Sequence, residues 1–381
     1  MTSIYQMRLP RMVIGGAGSV SQLSELAKES KAKDVIILTD RGIFETGITL
    51  RIEKILSSCN TRIVKDVPSE PEYAQVLKIY DEIKNVEFDL IVAVGGGSVM
   101  DTAKIISVLV TNPEYAKDIL NPSLIKNRGK LSIFIPTTAG TGSEATPNSI
   151  VVVPEKELKV GIVNPNFIPD YVILDPEMTL KLPPSVTAST GLDAFCHAIE
   201  CFISKKANPF SDMYALKAIN LISKNIRRAY ASGSDISARE NMLLAAFYGG
   251  MCIASSSTVA VHALSYPLGG KYRIPHGISN AILLPYVMEY NADYVEDKFK
   301  EVAVAMGLDV DESSNISKKV VEEIFKLTDD LKIPHDLKKY GITKADLDIL
   351  VEGAAKVTRL LDNNPKSMTK DDIKNIYLKI I

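Results

Sequence analysis

Short apolar runs recur through the first half of the chain, rich in β-branched residues and closed by Gly, Asp or Thr: Val35-Ile36-Ile37-Leu38, Leu90-Ile91-Val92-Ala93-Val94 and Ile133-Phe134-Ile135. Such runs predict strands buried on both faces, and the amphipathic stretches between them predict helices. Up to about Leu182 the chain therefore reads as an α/β unit built on a parallel sheet. Beyond Leu182-Pro183-Pro184 the strand signals stop, and from Ser211 to Tyr230 and Ala238 to Ala254 apolar residues fall at helical spacing. The second half is expected to be all helix. A double proline ends regular structure and suits a connection, which divides the chain into residues 1–183 and 184–381.

A length of 381 residues exceeds what one core usually serves, in keeping with two domains and a cleft where small-molecule chemistry would sit. The formal net charge of -2 gives no excess of base for nucleic acid, which is not an expected partner. The start, Met1-Thr2-Ser3-Ile4-Tyr5-Gln6-Met7-Arg8, lacks the pattern of a secretory leader. No run of ~18 apolar residues suits a bilayer. Four scattered cysteines (Cys59, Cys196, Cys201, Cys252) make no disulfide framework. A reduced, cytoplasmic protein without a membrane segment is expected.

Gly95-Gly96-Gly97-Ser98 follows a strand run and precedes a helical stretch, Val99 to Ile106. Glycines there let the backbone approach a diphosphate, whose charge the helix N-terminus attracts. Taken alone, the triple glycine fits a tight turn equally well. A second small-polar loop, Thr137-Thr138-Ala139-Gly140-Thr141-Gly142-Ser143-Glu144, follows the next strand and offers hydroxyls to a phosphate or ribose. Strand ends of one parallel sheet converge on one crevice. Asp40, closing the strand Val35 to Thr39, could accept both adenosine ribose hydroxyls and repel the extra phosphate of NADP, which favours NAD; equally, an Asp there can be only a turn former. The Gly-x-Gly-x-x-Gly fingerprint after a first strand is absent, so the fold should be Rossmann-like without its standard form.

The chain has four histidines. Asp193 and His197 stand at i and i+4 on a predicted helix and so share a face. His262 lies in an apolar helical context and His276 in the loop-like Ile274-Pro275-His276-Gly277. Three imidazoles and a carboxylate suit Fe(II) or Zn(II). By spacing alone the same residues could be core histidines and a surface ion pair; their apolar settings favour a shared cation, since buried polar groups need partners. His335, in a polar stretch, stands outside this set.

Together these blocks resemble the iron-containing (group III) alcohol dehydrogenases. The likeness runs through Gly95-Gly96-Gly97-Ser98 with Asp101, then Thr137 to Glu144, Thr190-Gly191-Leu192-Asp193-Ala194 with His197 and Glu200, and Ala207-Asn208-Pro209. It continues through His262-Ala263-Leu264 with Pro267-Leu268-Gly269-Gly270, Ile274-Pro275-His276-Gly277 and Asn364-Pro365. The resemblance implies a dehydroquinate synthase-like two-domain architecture and a metal held by Asp193, His197, His262 and His276. It implies a diphosphate on Gly96, Gly97 and Ser98, with Asp101, Thr137, Thr138, Thr141 and Lys159 lining the cofactor and Asp40 on the ribose. Asn148, Ile253 and Leu360 fall near positions that shape its substrate pocket. Tyr266 stands where family members often carry a second histidine, so any proton relay there would run through a phenol.

The implied activity is NAD(H)-linked oxidation of a small alcohol or diol, or reduction of an aldehyde, by a homodimer. Two relatives of that reading are a zinc glycerol or polyol dehydrogenase and a dehydroquinate synthase-like lyase. The lyase needs converging basic residues, of which the stretch from His262 to His276 holds only Lys271 and Arg273. A noncatalytic binding or filament-forming module is a third alternative, for which no long apolar run offers a contact.

Overall fold

The computed structural model describes residues 4–156, 158–311 and 315–381; Met1 to Ser3, where the leader pattern was sought, lie outside that range. Among the described residues eight strands are formed: β1 (Met12–Gly15), β2 (Asp34–Leu38), β3 (Asn60–Val64), β4 (Leu90–Gly95), β5 (Leu131–Pro136), β6 (Asn148–Val153), β7 (Leu158–Val163) and β8 (Tyr171–Leu174). Six make one sheet in the order β1-β8-β5-β4-β2-β3, parallel throughout. The three apolar runs singled out above are β2, β4 and β5.

Five helices accompany the sheet: α1 (Leu23–Glu29), α2 (Arg41–Glu45), α3 (Ile48–Ile55), α4 (Tyr73–Ile83) and α5 (Gly97–Thr111). Because side chains alternate along a strand, each central strand feeds two layers. Val35, Ile37, Val92, Val94, Ile133 and Ile135 pack with Leu23 and Leu26 of α1 and Ile48 and Ile52 of α3. Ile36, Leu38, Ile91, Ala93 and Phe134 join α4 and α5 in a core that continues into the helical half. Each large apolar side chain so buried is worth roughly 1.5–3 kcal/mol, which explains why these runs contain no polar interruption.

One part of this region differs from the expected parallel pattern. β6 and β7 form a separate antiparallel hairpin, Asn148 facing Val163. Alternate burial along β6 marks a strand covered on one side only. The hairpin lies against α5 and against the helix Ala260–Tyr272, and Lys159 is on it.

Among the described residues the second half contains no strand. It comprises α6 (Pro184–Ile203), α7 (Pro209–Ala231), α8 (Ile236–Ser255), α9 (Ala260–Tyr272), α10 (His276–Asn291), α11 (Glu296–Met306), α12 (Ile316–Asp330), α13 (Leu347–Ala355), α14 (Thr358–Leu361) and α15 (Lys370–Leu378). The Asn208-Pro209 block is structural: Asn208 caps α7, its Oδ1 accepting from the N–H groups of Phe210 and Ser211. Asn364 exchanges amide hydrogen bonds with Asn291. No single helix is long and apolar enough to cross a membrane.

Candidate metal centre and dinucleotide crevice

The strand order reverses at β2. From there the chain runs outward to β3, then returns to β4 on the opposite side, so the crevice of a doubly wound sheet lies beyond the carboxyl ends of β2 and β4. Asp40 follows β2 and Gly96-Gly97-Ser98 follows β4, so the topology places both on the two sides of one switch point. The hydroxyl of Thr39 donates to the carbonyl of Val94 at 2.8 Å and ties the two strand ends together.

Gly96 is the N-cap of α5, and the helix begins at Gly97. A Cβ on Gly97 would stand 2.7 Å from Thr141, so this glycine is required by the close approach of the two small-polar loops. Gly142 has a left-handed φ of 57°, and a Cβ there would meet the Ala246 carbonyl of α8 at 2.4 Å. Thr138 and Thr141 thus stand directly beside Gly96 and Gly97, while Thr137 is buried with its hydroxyl unpartnered among the described residues.

Several of the expected cofactor residues have internal partners. Asp40 caps α2, accepting from the N–H of Ile43 at 3.0 Å. Asp101 accepts from the hydroxyl of Ser143 at 2.5 Å through one oxygen and from the N–H of Ile150 at 2.9 Å through the other, joining α5 to the loop and to β6. Lys159 is buried and its Nζ donates to Glu70 at 2.7 Å.

In the helical half, Asp193 and His197 share a face of α6 as their spacing predicts, and the chain brings His262 and His276 to them. The break between α8 and α9 is bent by 103°, which carries His262, in the first turn of α9, over α6. His276 is not in a loop: it is the first residue of α10, after the N-cap Pro275. The glycine that made this segment look loop-like is there for packing, because a Cβ on Gly277 would meet the Ser189 carbonyl of α6 at 2.4 Å.

Asp193 Oδ1 lies 3.8, 4.0 and 3.8 Å from Nε2 of His197, His262 and His276, and the four donor atoms lie within 4.8 Å of one another. Four ligands about 2.0–2.2 Å from a common ion would place donor atoms roughly 3.3–3.6 Å apart in a tetrahedron, so the cluster is open by a small margin. Burial pushes His197 down to about 4 and His276 well below its usual value, so these imidazoles are neutral near pH 7. Burial raises the Asp193 carboxyl, but the surrounding histidines outweigh it and hold the group below its ordinary pKa. His276 is the most open ligand, its side chain 27% exposed against 6% or less for the other three.

The cluster's hydrogen bonding tests whether it suits a cation. His262 Nδ1 pairs with the fully buried Glu200, which leaves Nε2 as an acceptor. The Asn280 amide nitrogen stands 2.7 Å from Asp193 Oδ1 and 3.2 Å from Nε2 of His262 and of His276. Its two protons cannot serve all three of these atoms, and neither reaches His197, the fourth member of the cluster. A positive ion can, and nitrogen-plus-carboxylate chemistry is that of Zn(II) or Fe(II).

Glu200 and Asn280 carry no assigned role in the sequence reading, although both were within reach of it. Glu200 is seven residues after Asp193, and Asn280 four after His276, so each continues the face of its ligand helix. Glu200 also accepts from the N–H of Val261 at 2.6 Å, satisfying an orphan donor at the start of α9 while it orients His262. Tyr266 is buried one turn beyond His262, its ring 6.4 Å from that of His276. Burial raises its pKa, against the pull of Arg359, so the phenol keeps its proton at neutral pH. Asn148 opens β6, Ile253 is half-buried in α8, and Leu360 is buried in α14. His335 is exposed beside Asp329, away from the cluster.

Residues 10–176 match the family model described as "Iron-containing alcohol dehydrogenase", and residues 187–381 match "Fe-containing alcohol dehydrogenase family, C-terminal". The chain is 35% identical to long-chain-alcohol dehydrogenase 1 of Geobacillus thermodenitrificans over 98% of its own length and 96% of that protein. It is 33% identical to lactaldehyde reductase of Escherichia coli, covering 95% and 96% of the two chains. The crystal structure of sulfoacetaldehyde reductase from Bifidobacterium kashiwanohense in complex with NAD+ superposes with a TM-score of 0.90 at 28% identity, covering 99% and 98%.

Proposed function

The chain belongs to the iron-containing alcohol dehydrogenase family, and from that premise we propose that it interconverts a small alcohol or diol and the corresponding aldehyde, using NAD(H) and a divalent metal. The observation that carries this reading is the cluster of one carboxylate and three imidazoles, whose donor atoms lie within 4.8 Å of one another and could hold one metal ion. Its position supports the reading: Glu70 joins Lys159, beside the crevice, to the backbone of His276.

Asp193, His197, His262 and His276 are the proposed ligands of Fe(II) or Zn(II). When bound, that ion supplies a Lewis acid that polarises the substrate oxygen. The chain's own residues do the rest. Gly96, Gly97 and Ser98 present backbone N–H groups to the diphosphate; Thr137, Thr138, Thr141 and Lys159 line the dinucleotide; Asp40 takes the adenosine ribose. Asp101 acts behind this surface by fixing the loop. Asn148, Ile253 and Leu360 are proposed to shape a small, mostly apolar substrate pocket. The division into residues 1–183 and 184–381, the homodimer and the cytoplasmic compartment are further parts of this proposal.

Tyr266 is proposed to pass a proton to or from the substrate oxygen, and its raised pKa makes it a donor in the aldehyde-reducing direction. Tyr266→Phe is expected to lower kcat for aldehyde reduction by on the order of 100-fold and to alter its pH profile. An unchanged profile and turnover would exclude the phenol.

Asp40→Ser keeps a capping side chain for α2 but removes the charge. A carboxylate facing a phosphate costs several kcal/mol, so the ratio of kcat/KM for NADP to that for NAD should rise by roughly 10- to 100-fold. An unmoved ratio would remove Asp40 from the ribose site.

The function itself is tested by following NADH absorbance with metal-loaded protein against a panel of short aldehydes, alcohols and diols. Turnover of any of them supports the reading; none across the whole panel would sink it.

A further inference from the structure

Glu70 lies in the connection between β3 and α4, and it is one of few non-glycine residues with a left-handed φ, here 48°. That conformation costs on the order of 1–3 kcal/mol and persists only where surrounding contacts hold it. Three segments remote in sequence do so. Its N–H donates to the hydroxyl of Ser98 in the glycine loop at 2.9 Å. Its Oε1 accepts from Lys159 Nζ at 2.7 Å and from the N–H of His276 at 3.3 Å. The Lys159 side chain in turn lies on Gly269 of α9, where a Cβ would stand 2.8 Å from its Cε.

The same device thus appears twice at the metal cluster. Each helix that brings a distant histidine begins with an N–H held by a glutamate from elsewhere, Glu200 for α9 and Glu70 for α10. The two differ in origin: Glu200 is in the helical half, whereas Glu70 reaches across from the sheet. Its carboxylate also forms an ion pair with the buried Lys159 ammonium.

We propose that Glu70 is a positioning residue that couples the dinucleotide loop to the metal-binding helix, so that cofactor and metal each strengthen the binding of the other. This rests on the dehydrogenase reading above. Occupying the Ser98 loop fixes one end of the bridge and occupying the cluster fixes the other, so whichever ligand binds second meets a bridge already ordered. By linkage the two must help each other by one common factor, and couplings of this kind commonly reach about fivefold or more.

The test uses the full chain, freed of metal. Zn(II) affinity is measured by competition with a chromophoric chelator with and without NADH, and NADH affinity by fluorescence with and without Zn(II). In the wild type each ligand should tighten the other by about fivefold or more. In Glu70→Ala, which removes the oxygen that accepts from Lys159 and from the His276 N–H, both ligands should still bind, with the factor reduced to near one. Ser98→Ala, which removes the acceptor of the Glu70 N–H but keeps the backbone donors, should also lower it, and serves where Glu70→Ala does not fold. A wild-type factor of one, or a factor undiminished in either variant, overturns the coupling, while NADH-linked turnover would leave the dehydrogenase reading standing. A wild type that binds neither Zn(II) nor, in an anaerobic repeat, Fe(II) overturns both.

Discussion

His262→Ala should retain the fold, lose the bound divalent metal and turn over NADH with aldehydes at roughly a thousandth of the wild-type rate or less. A metal acting as a Lewis acid supplies several kcal/mol to the transition state, and each 1.36 kcal/mol is about tenfold in rate. The expectation is specific because His262 is held from both sides. Glu200 fixes its Nδ1, which aims Nε2 at Asp193, 4.0 Å away. Chelation of the wild type should give the same loss, reversed by Fe(II) or Zn(II), whereas the variant should stay inactive with either ion. Glu200→Gln should be milder, weakening metal binding by about 10- to 100-fold, as losses of groups that orient a histidine ligand do. Elemental analysis and NADH-linked assays on the same preparations check both. Full activity in His262→Ala would remove the metal centre from the mechanism.

The parts of this site that were legible in the chain are those where one local element holds the information. Asp193 and His197 occupy one turn of α6, and Gly95 ends β4 with Gly96 and Gly97 directly after it. The apolar runs identified β2, β4 and β5 because both faces of a central strand are covered, which forbids polar interruption. What stayed hidden depends on contacts distant in sequence. Glu70 shows nothing in sequence; only the fold brings Ser98, Lys159 and the start of α10 around it. The β6–β7 hairpin was obscured because a strand covered on one side gives no continuous apolar run. Gly277 misled for a related reason, since a glycine needed for helix packing looks the same in sequence as one needed for a turn.

Lys104→Met should cost stability rather than chemistry, by roughly 3–5 kcal/mol, which would lower the Tm by roughly 5–15 °C. Lys104 is fully buried, and its Nζ donates to Ser143 Oγ at 2.7 Å, Thr146 Oγ1 at 3.0 Å and the Asn148 carbonyl at 2.6 Å, with Asp101 at 3.4 Å. Burial lowers its pKa, against the pull of Asp101 and Glu144. Methionine fills most of the space but takes a donor from Ser143 Oγ, Thr146 Oγ1 and the Asn148 carbonyl and leaves Asp101 without its cation. Glu144, whose carboxyl burial pushes up to about 7, would also lose the positive charge that holds it down. The damage should reach the crevice, because Ser143 and Thr146 end the loop that sets Thr138 and Thr141 beside the glycines; KM for NADH should rise while the metal content stays near that of the wild type. Asp101→Asn combined with Lys104→Met removes both charges and should recover part of the lost stability, as expected when the cost of the single change is an unpaired buried carboxylate. Thermal unfolding of the two variants decides it: a single variant within 1 °C of the wild type, or a double variant no more stable than Lys104→Met, would mean that Lys104 does not hold this loop.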